Sequence, residues 1–325
     1  MRGRIIKGIA GFYYVRCTDC ARSMKSDCPG EAAHGAMSDG GAGNAQSEDE
    51  RIYECKAKGI FRKDNLKPLV GDEVEMDVLD EEKRLGNIRE LLPRQNELVR
   101  PAVANVDQAL VIFSIVKPKP NFNLLDRFLI LMEQQGVSGI VCFNKQDIDE
   151  MRTGEKYRRI YERCGYRVLT VSATQGDGIE ELKALLKDRT TVVAGPSGVG
   201  KSSLINCLQS RIVMETGELS AKIERGKHTT RHSELIVVEE NTYIFDTPGF
   251  SSLELFGLEK GQLAQHYPEF AEYEKNCRFS DCSHVNEREC GIRDAVAEGA
   301  ISSLRYENYS LLYRELELAQ QRRKK

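Results

Sequence analysis

An apolar run, TTVVAG, leads directly into GPSGVGKSS, Gly195 to Ser203, and out again into SSLINCLQ. No other stretch of this sequence restricts the fold so strongly. A G-x-x-x-x-G-K-[ST] loop works only between a buried strand and the start of a helix, where backbone N–H groups converge on phosphate oxygens under the positive end of the helix dipole. Gly195, Gly198 and Gly200 let the backbone curl, and Ser197, Val199 and Ser203 complete the cradle. Lys201 bridges the β- and γ-phosphates and Ser202 ligates Mg2+. The chain must therefore contain an α/β sheet with a nucleotide triphosphate at its edge.

The surrounding text agrees. QALVIFSIV, SGIVCFN, YRVLTVSA and TTVVAG read as buried strands, alternating with helical stretches at NLLDRFLILMEQQ, at Lys156 to Cys164 and at Ile179 to Leu186. In the first helix Leu124, Leu125, Phe128, Leu129, Leu131 and Met132 share one broad face. Such alternation predicts a mainly parallel sheet covered on both sides.

The base is read elsewhere. Asn144-Lys145-x-Asp147 follows the strand SGIVCFN, where ligand loops gather on an open parallel sheet. A carboxylate at Asp147 can accept from guanine N1–H and the 2-amino group, which adenine does not offer; Lys145 covers the base and Asn144 ties loops together. Ser172 and Ala173, in SAT after the next strand, supply a backbone N–H to guanine O6. Asp246 and Gly249, in DTPG after the strand TYIFD, stand where a Walker-B aspartate and a γ-phosphate-sensing N–H belong. GKHTTR, Gly226 to Arg231, is a switch loop in which Thr230, or alternatively Thr229, closes the Mg2+ shell. The guanine loops thus precede the phosphate loop, which precedes both switches, a cyclic rearrangement of the usual GTPase order. Strand ends in space make the site, so a permutation need not disturb it.

Three regions follow: residues 1–95, 96–255 and 256–325. The first has short strands, GFYYV, RIYECKAKGIF and DEVEMDVLD, without helical period, and reads as a small β-barrel. Residues 17–50, rich in Gly, Ala, Ser and Asp, read as a disordered insertion. Lys56, Lys58, Arg62, Lys63 and Lys67 form a basic patch in the barrel. The third region is helical and charged, and carries Cys277-x4-Cys282-x-His284-x5-Cys290, the ligand set of a closed tetrahedral structural Zn2+ site. For Cys17, Cys20 and Cys28, with His34 or Cys55 as a fourth ligand, both a second zinc site and free thiols in an insertion stay open. Ten cysteines grouped unevenly in a phosphate-loop chain favour reduced thiols and a cytoplasmic location. No apolar run approaches the ~20 residues of a membrane span, and a net charge of −3 argues against a uniformly basic nucleic-acid coat.

GPSGVGKSSL, ERGKHTTRH, DTPGFSSLE and the metal loop, in this order, resemble the ribosome small-subunit-dependent GTPase A (RsgA) family of circularly permuted GTPases. GFYYV, GIFRK, PLVGDEV and RPAVANVDQALVIFS extend the resemblance over nearly the whole chain. It implies a multidomain fold: an N-terminal all-β OB-fold barrel that binds RNA, a central α/β permuted GTPase domain, and a C-terminal mainly helical zinc-binding domain. It further implies a GTPase that acts, with stimulation by the 30S subunit and its 16S rRNA, in late maturation of that subunit. One structural Zn2+, Mg2+ with GTP or GDP, no membrane partner and a monomeric state complete the expectation.

Phe250 follows Gly249, where many GTPases carry the glutamine that orients the attacking water. An aromatic ring cannot do this. His228 is the candidate catalytic replacement, beside Lys201 and Thr230, since an imidazole can position or relay a proton near neutrality; contact with rRNA phosphate is its alternative role. Phe250 also supports a rival reading, an RNA-binding assembly scaffold that uses GTP as a binding switch with incidental hydrolysis. The chain leaves the GTPase region directly after DTPGFSSLELF, so the C-terminal region is tethered to the second switch and could be repositioned by loss of the γ-phosphate.

Overall fold

The computed structural model describes residues 1–17, 52–57, 61, 66–99, 101–216, 233–246, 255 and 257–323, with the side chains of 210–216 and 246 outside that set. Apart from Cys17, the expected insertion lies outside the described residues, as do Lys58, Arg62 and Lys63 of the basic patch. The chain divides into two compact units, Met1–Asn105 with His232–Leu235, and Val106–Arg231 with Ile236–Lys325.

The first unit holds β1 (Arg2–Ile9), β2 (Phe12–Cys17), β3 (Ile52–Ala57), β4 (Glu73–Asp80) and β5 (Leu85–Leu91). Their order is β1-β2-β3-β5-β4, and an antiparallel pairing of β1 with β4 closes the ring. This closes the small β-barrel read from the short strands, in the five-stranded OB-fold form that the family resemblance implies: Ile5, Val15, Tyr53, Cys55, Val74, Met76 and Ile88 point inward while their sequence neighbours are more exposed. A short hairpin, β6 (Glu97–Leu98) with β7 (Val103–Ala104), follows. Arg94 grips the buried Asp72 with two bonds, of 2.7 and 2.8 Å. Cys55, weighed above as a ligand beside Cys17, is a core residue instead. Its Sγ lies 3.7 Å from Met76 Sδ, its register partner is Tyr13, and burial pushes its thiol up to about 11.

The second unit is built on β8 (Gln108–Ser114), β9 (Ser138–Asn144), β10 (Arg167–Thr170), β11 (Thr190–Ala194), β12 (Glu234–Glu239, from Ile236 onward in this unit) and β13 (Thr242–Asp246). They are ordered β10-β9-β8-β11-β13-β12, with parallel pairings from β10 through β13. Its helices are α1 (Phe122–Gln134), α2 (Thr153–Arg163), α3 (Ile179–Leu186), α4 (Lys201–Thr216), α5 (Gly291–Ala297) and α6 (Ser303–Arg323). Alternate residues of β8 serve opposite layers. Val111 and Phe113 pack with Leu125 and Phe128 of α1, while Leu110 and Ile112 pack with Leu182 of α3 and Leu204 of α4. A sheet covered on both faces needs such all-apolar strands.

One feature of α1 departs from the expected single apolar face. Its Ile130 joins Tyr267, Phe270, Tyr309 and Leu312 of the C-terminal region, and Asp126 is fully buried beside it. Arg305 of α6, only 1% exposed, donates to Asp126 and places its Nε and Nη2 on Glu269 at 2.7 and 3.2 Å. Tyr161 and Asn308 also donate to Asp126, at 2.8 and 2.7 Å, and the guanidinium stacks 4.4 Å from the Tyr267 ring. A buried charge is tolerable only when paired and bonded this completely. The C-terminal helices and α1 therefore share one core.

Candidate nucleotide site and metal loop

The phosphate loop grows from the sheet as its sequence requires. β11 is buried throughout and leads into Gly195, where φ is +141° and a Cβ would meet the Ile112 carbonyl oxygen at 2.1 Å. The chain then turns through Ser197 and Gly198, buries Val199, and enters α4 at Lys201. Lys201 Nζ arches back to donate to the carbonyls of Gly195 and Pro196 at 2.7 Å each, across the mouth of the loop. Ser202 and Ser203 are exposed on the first turn of α4.

The loops expected to read guanine are bonded to this loop directly. Asn144, buried at the end of β9, donates from Nδ2 to the Val199 carbonyl at 2.9 Å and accepts from the Ala173 N–H at 3.2 Å. Lys145, at φ +68°, donates from Nζ to the Gly198 carbonyl at 2.7 Å. Asp147 is exposed on a short 3-10 turn, and its Oδ1 accepts from the buried Ser172 hydroxyl at 2.7 Å, while Ser172 Oγ accepts from the Gln175 N–H at 3.0 Å. Gly200 explains itself in the same terms: at φ +97°, a Cβ there would lie 2.3 Å from Asn144 Nδ2. The inverted order in the text is thus no obstacle, since residues 144–147, 172–175 and 195–201 form one bonded cluster at the carboxyl ends of β8 to β11.

Asp246 ends β13, the parallel neighbour of β11 through Val192 and Phe245, so its backbone stands beside the phosphate loop strand. The Ser202 hydroxyl, exposed on the first turn of α4, is an oxygen donor, the chemistry that Mg2+ takes. Gly249, His228 and Thr230 lie outside the described residues, as does Phe250.

In the C-terminal region, ligand atoms of Cys277, Cys282, His284 and Cys290 all lie within 4.8 Å of one another. Their spacing can be tested against a metal. Tetrahedral Zn2+, with Zn–S of about 2.3 Å and Zn–N of about 2.0–2.1 Å, sets S···S edges of about 3.8 Å and S···N edges of about 3.6 Å. Cys277 and Cys290 are 3.9 Å apart at sulfur, and each is 3.5 Å from His284 Nδ1. The residues fit. His284 Nε2 faces Glu274 Oε1 at 3.4 Å, a carboxylate placed to orient the ring and raise its basicity. The loop is held by Glu287, whose carboxylate accepts from the Ser283 hydroxyl and from the Ser283 and Asn286 N–H groups and is drawn down to about 2 by those bonds against its burial, and by Tyr306 and Tyr309, which donate to the His284 and Ser283 carbonyls at 2.8 Å each. Burial pushes the Cys282 thiol up to about 12, and a divalent cation is the group that would hold thiolates in such a place.

Sequence comparison bears on both sites together. Residues 91–256 match the family model described as RsgA GTPase, and residues 45–88 match the RsgA N-terminal domain. The chain belongs to the RsgA GTPase family. It is 55% identical over 316 residues to the small ribosomal subunit biogenesis GTPase RsgA of Agathobacter rectalis, spanning 97% of this chain and 98% of that one. The RsgA of Caldanaerobacter subterraneus subsp. tengcongensis is 43% identical over 325 residues, spanning 100% and 99%. Among solved structures, YloQ, described as a circularly permuted GTPase, superposes with a TM-score of 0.71 at 33% identity over 97% of this chain and 94% of its own. YjeQ from Thermotoga maritima gives 0.72 at 33% identity, over 97% and 98%. Like other RsgA GTPases, the chain is a GTP hydrolase with permuted topology.

The nucleotide site also contains residues that sequence reasoning missed. Lys145 donates a second bond to the Lys117 carbonyl, and the Ser114 hydroxyl donates to that of Pro118, so the loop after β8 is tied through Lys145 to the same bonded cluster. The only signal was Lys-Pro-Lys-Pro after a buried strand, too common a turn to single out. Among the described residues no helix is long and apolar enough to cross a membrane.

Proposed function

We propose that this chain hydrolyses GTP in the cytoplasm during late maturation of the small ribosomal subunit, with turnover stimulated by the subunit and its 16S rRNA. The supporting observation is the bonding of Asn144 and Lys145 to the carbonyls of Val199 and Gly198, which gathers base-reading and phosphate-gripping groups around a space for one nucleotide. The named relatives are small ribosomal subunit biogenesis proteins, which supplies the partner.

In this reading Asp147, aligned by Ser172, takes the guanine edge, and the Ala173 N–H serves O6. Backbone N–H groups from Gly195 to Ser203 surround the phosphates, with Ser197 in the cradle. Lys201 releases its two carbonyls to bridge the β- and γ-oxygens. Ser202 and Thr230, with Asp246 nearby, would hold Mg2+, which neutralises charge on the leaving phosphates. The Gly249 N–H senses the γ-phosphate, and His228 orients the attacking water. Cys277, Cys282, His284 and Cys290 hold one structural Zn2+. The protein acts as a monomer, with functional regions 1–95, 96–255 and 256–325. The bond from Arg305 to Asp126 adds one constraint to any repositioning of the C-terminal region: α1 must move with it or the buried ion pair must break.

GTP turnover with and without purified small subunits tests the proposal. A strong increase with subunits is expected, and His228→Ala should remove much of it, by about 10²-fold or more for a lost proton-positioning group. Phe250, where a water-orienting glutamine commonly stands, favours a second reading, a scaffold for which GTP is a binding switch. Turnover unchanged by subunits, with binding to them still dependent on GTP, would favour that reading and contradict the first.

A further inference from the structure

The cationic edge of α2 has no part in either site. Lys156, Arg159 and Arg163 recur at the three- and four-residue spacing that stacks side chains along one helix face, and Arg152 stands at the cap position just before the helix. All four line a single cleft of about 750 Å3, whose far wall is the turn into α6 and includes Ser302 and Ser303. Two carboxylates reach the same cleft, and both are occupied. Glu155 accepts from Arg159 Nε at 2.9 Å, and Glu269 spends both oxygens on the buried Arg305. The side chains of Arg152, Lys156 and Arg163 make no hydrogen bond or ion pair among the described residues. The start of α6, a helix of 21 residues, adds the positive end of its dipole to the same space.

Three unpaired cations in one concavity are unusual in a chain whose net charge is −3; the positive potential here is local. The helical part of the row, Lys156 to Arg163, alone runs roughly 10 Å along the helix axis at about 1.5 Å per residue, longer than one phosphate group can engage. A polyanion with repeated phosphates matches it, and arginine is well suited to phosphate oxygens. We propose that this cleft binds the phosphodiester backbone of RNA, clasped between the α2 cations and the start of α6. The inference rests on the reading that the protein works on the small subunit, and it names a surface of the second unit that holds the subunit's RNA.

The test uses the full chain and protein-free 16S rRNA as the probe, with affinity followed over a series of KCl concentrations. Lys156→Gln combined with Arg163→Gln should lower the slope of log affinity against log salt by about 1.4–1.8, at about 0.7–0.9 for each phosphate no longer neutralised. Affinity at low salt should fall about tenfold or more, with the melting temperature and basal GTP turnover unchanged. Arg152→Gln, an independent variant, should lower the slope by about 0.7–0.9. Arg158→Gln removes a cation from the same helix that pairs with Glu162, and should leave the slope alone. An unchanged slope in the first two variants, or an equal loss in Arg158→Gln, overturns the proposal. So does a loss seen with intact subunits but not with naked rRNA, which would assign the cleft to an acidic protein, and so does displacement of rRNA from the cleft by inorganic pyrophosphate at equal phosphate concentration. A cleft that behaves as expected on rRNA, in a protein whose turnover ignores the subunit, would sustain this inference and defeat the proposed function.

Discussion

Arg305→Met is the perturbation that most sharply tests how the C-terminal helices are held to α1. It removes the cation from between Asp126 and Glu269 and leaves Asp126, at 0% exposure, with only the Tyr161 and Asn308 donors. Breaking a buried pair from one side costs about 3–5 kcal/mol, because the remaining charge is stranded away from water. At ~2–4 °C per kcal/mol for a unit of this size, calorimetry should show the second unit melting roughly 6–20 °C lower. The deficit should depend on pH. Burial already pushes the Asp126 carboxyl upward, against the pull of Arg305, and removing Arg305 lifts it further. A carboxyl with a raised native pKa binds its proton more readily folded than unfolded, so its charged form costs stability as pH rises and the cost fades as pH falls. The variant should therefore lie closest to the parent protein in mildly acidic buffer and furthest from it in alkaline buffer. Adding Asp126→Asn to Arg305→Met should recover part of the loss, a coupling of about 1 kcal/mol or more between contacting residues. A shift below ~1 kcal/mol that is flat in pH would refute the reasoning and leave the apolar packing of Ile130 with Tyr267, Phe270 and Tyr309 as the joint.

Gly200→Ala would place a methyl 2.3 Å from Asn144 Nδ2 at a φ of +97°, so the bond from Asn144 to the Val199 carbonyl must break or the loop must shift. At about 1–3 kcal/mol for the strained backbone alone, nucleotide affinity by equilibrium titration should fall roughly tenfold or more, for GTP and GDP alike; unaltered affinity would contradict the bonded cluster. Metal analysis of the purified protein should return one Zn2+ per chain. His284→Ala should release it and lower the melting temperature of the C-terminal region, because the fourth ligand closes the tetrahedron; full zinc retention in that variant would exclude the site.

The parts of this structure that could be read from the sequence are those governed by short-range pattern. Short strands without helical period, at β2, β3 and β4, marked a barrel, continuous apolar runs marked β8, β9 and β11, and two motifs with fixed spacing marked the nucleotide and metal loops. Boundaries were less legible. α2 begins at Thr153 rather than Lys156 because Asp149 accepts from the N–H groups of Thr153 and Gly154 at 2.9 and 2.7 Å, a cap set several residues upstream of an Arg152 with φ of +50°. The second buried face of α1 was hidden for a different reason. A count of apolar periodicity passes over Asp126, whose burial is made possible by Arg305 and Asn308, far along the chain. Cys55 shows the opposite error: metal spacing drew attention to it, although its alternation with Tyr53 in β3 already placed it inside the barrel.

The account stands on one nucleotide lying between Asp147 and Lys201, and exchange of the base tests it most directly. Guanine N1–H and its 2-amino group each lose a charge-assisted bond in Asp147→Asn, about 1.5–3 kcal/mol apiece, whereas the new amide can donate to the 2-oxo group of xanthine. Equilibrium titration of this variant should show GTP affinity reduced by roughly 10²-fold or more and xanthosine triphosphate bound in its place, with the bond geometry of the phosphate loop intact. A variant that prefers GTP as strongly as the parent protein would separate Asp147 from the base and contradict the central claim.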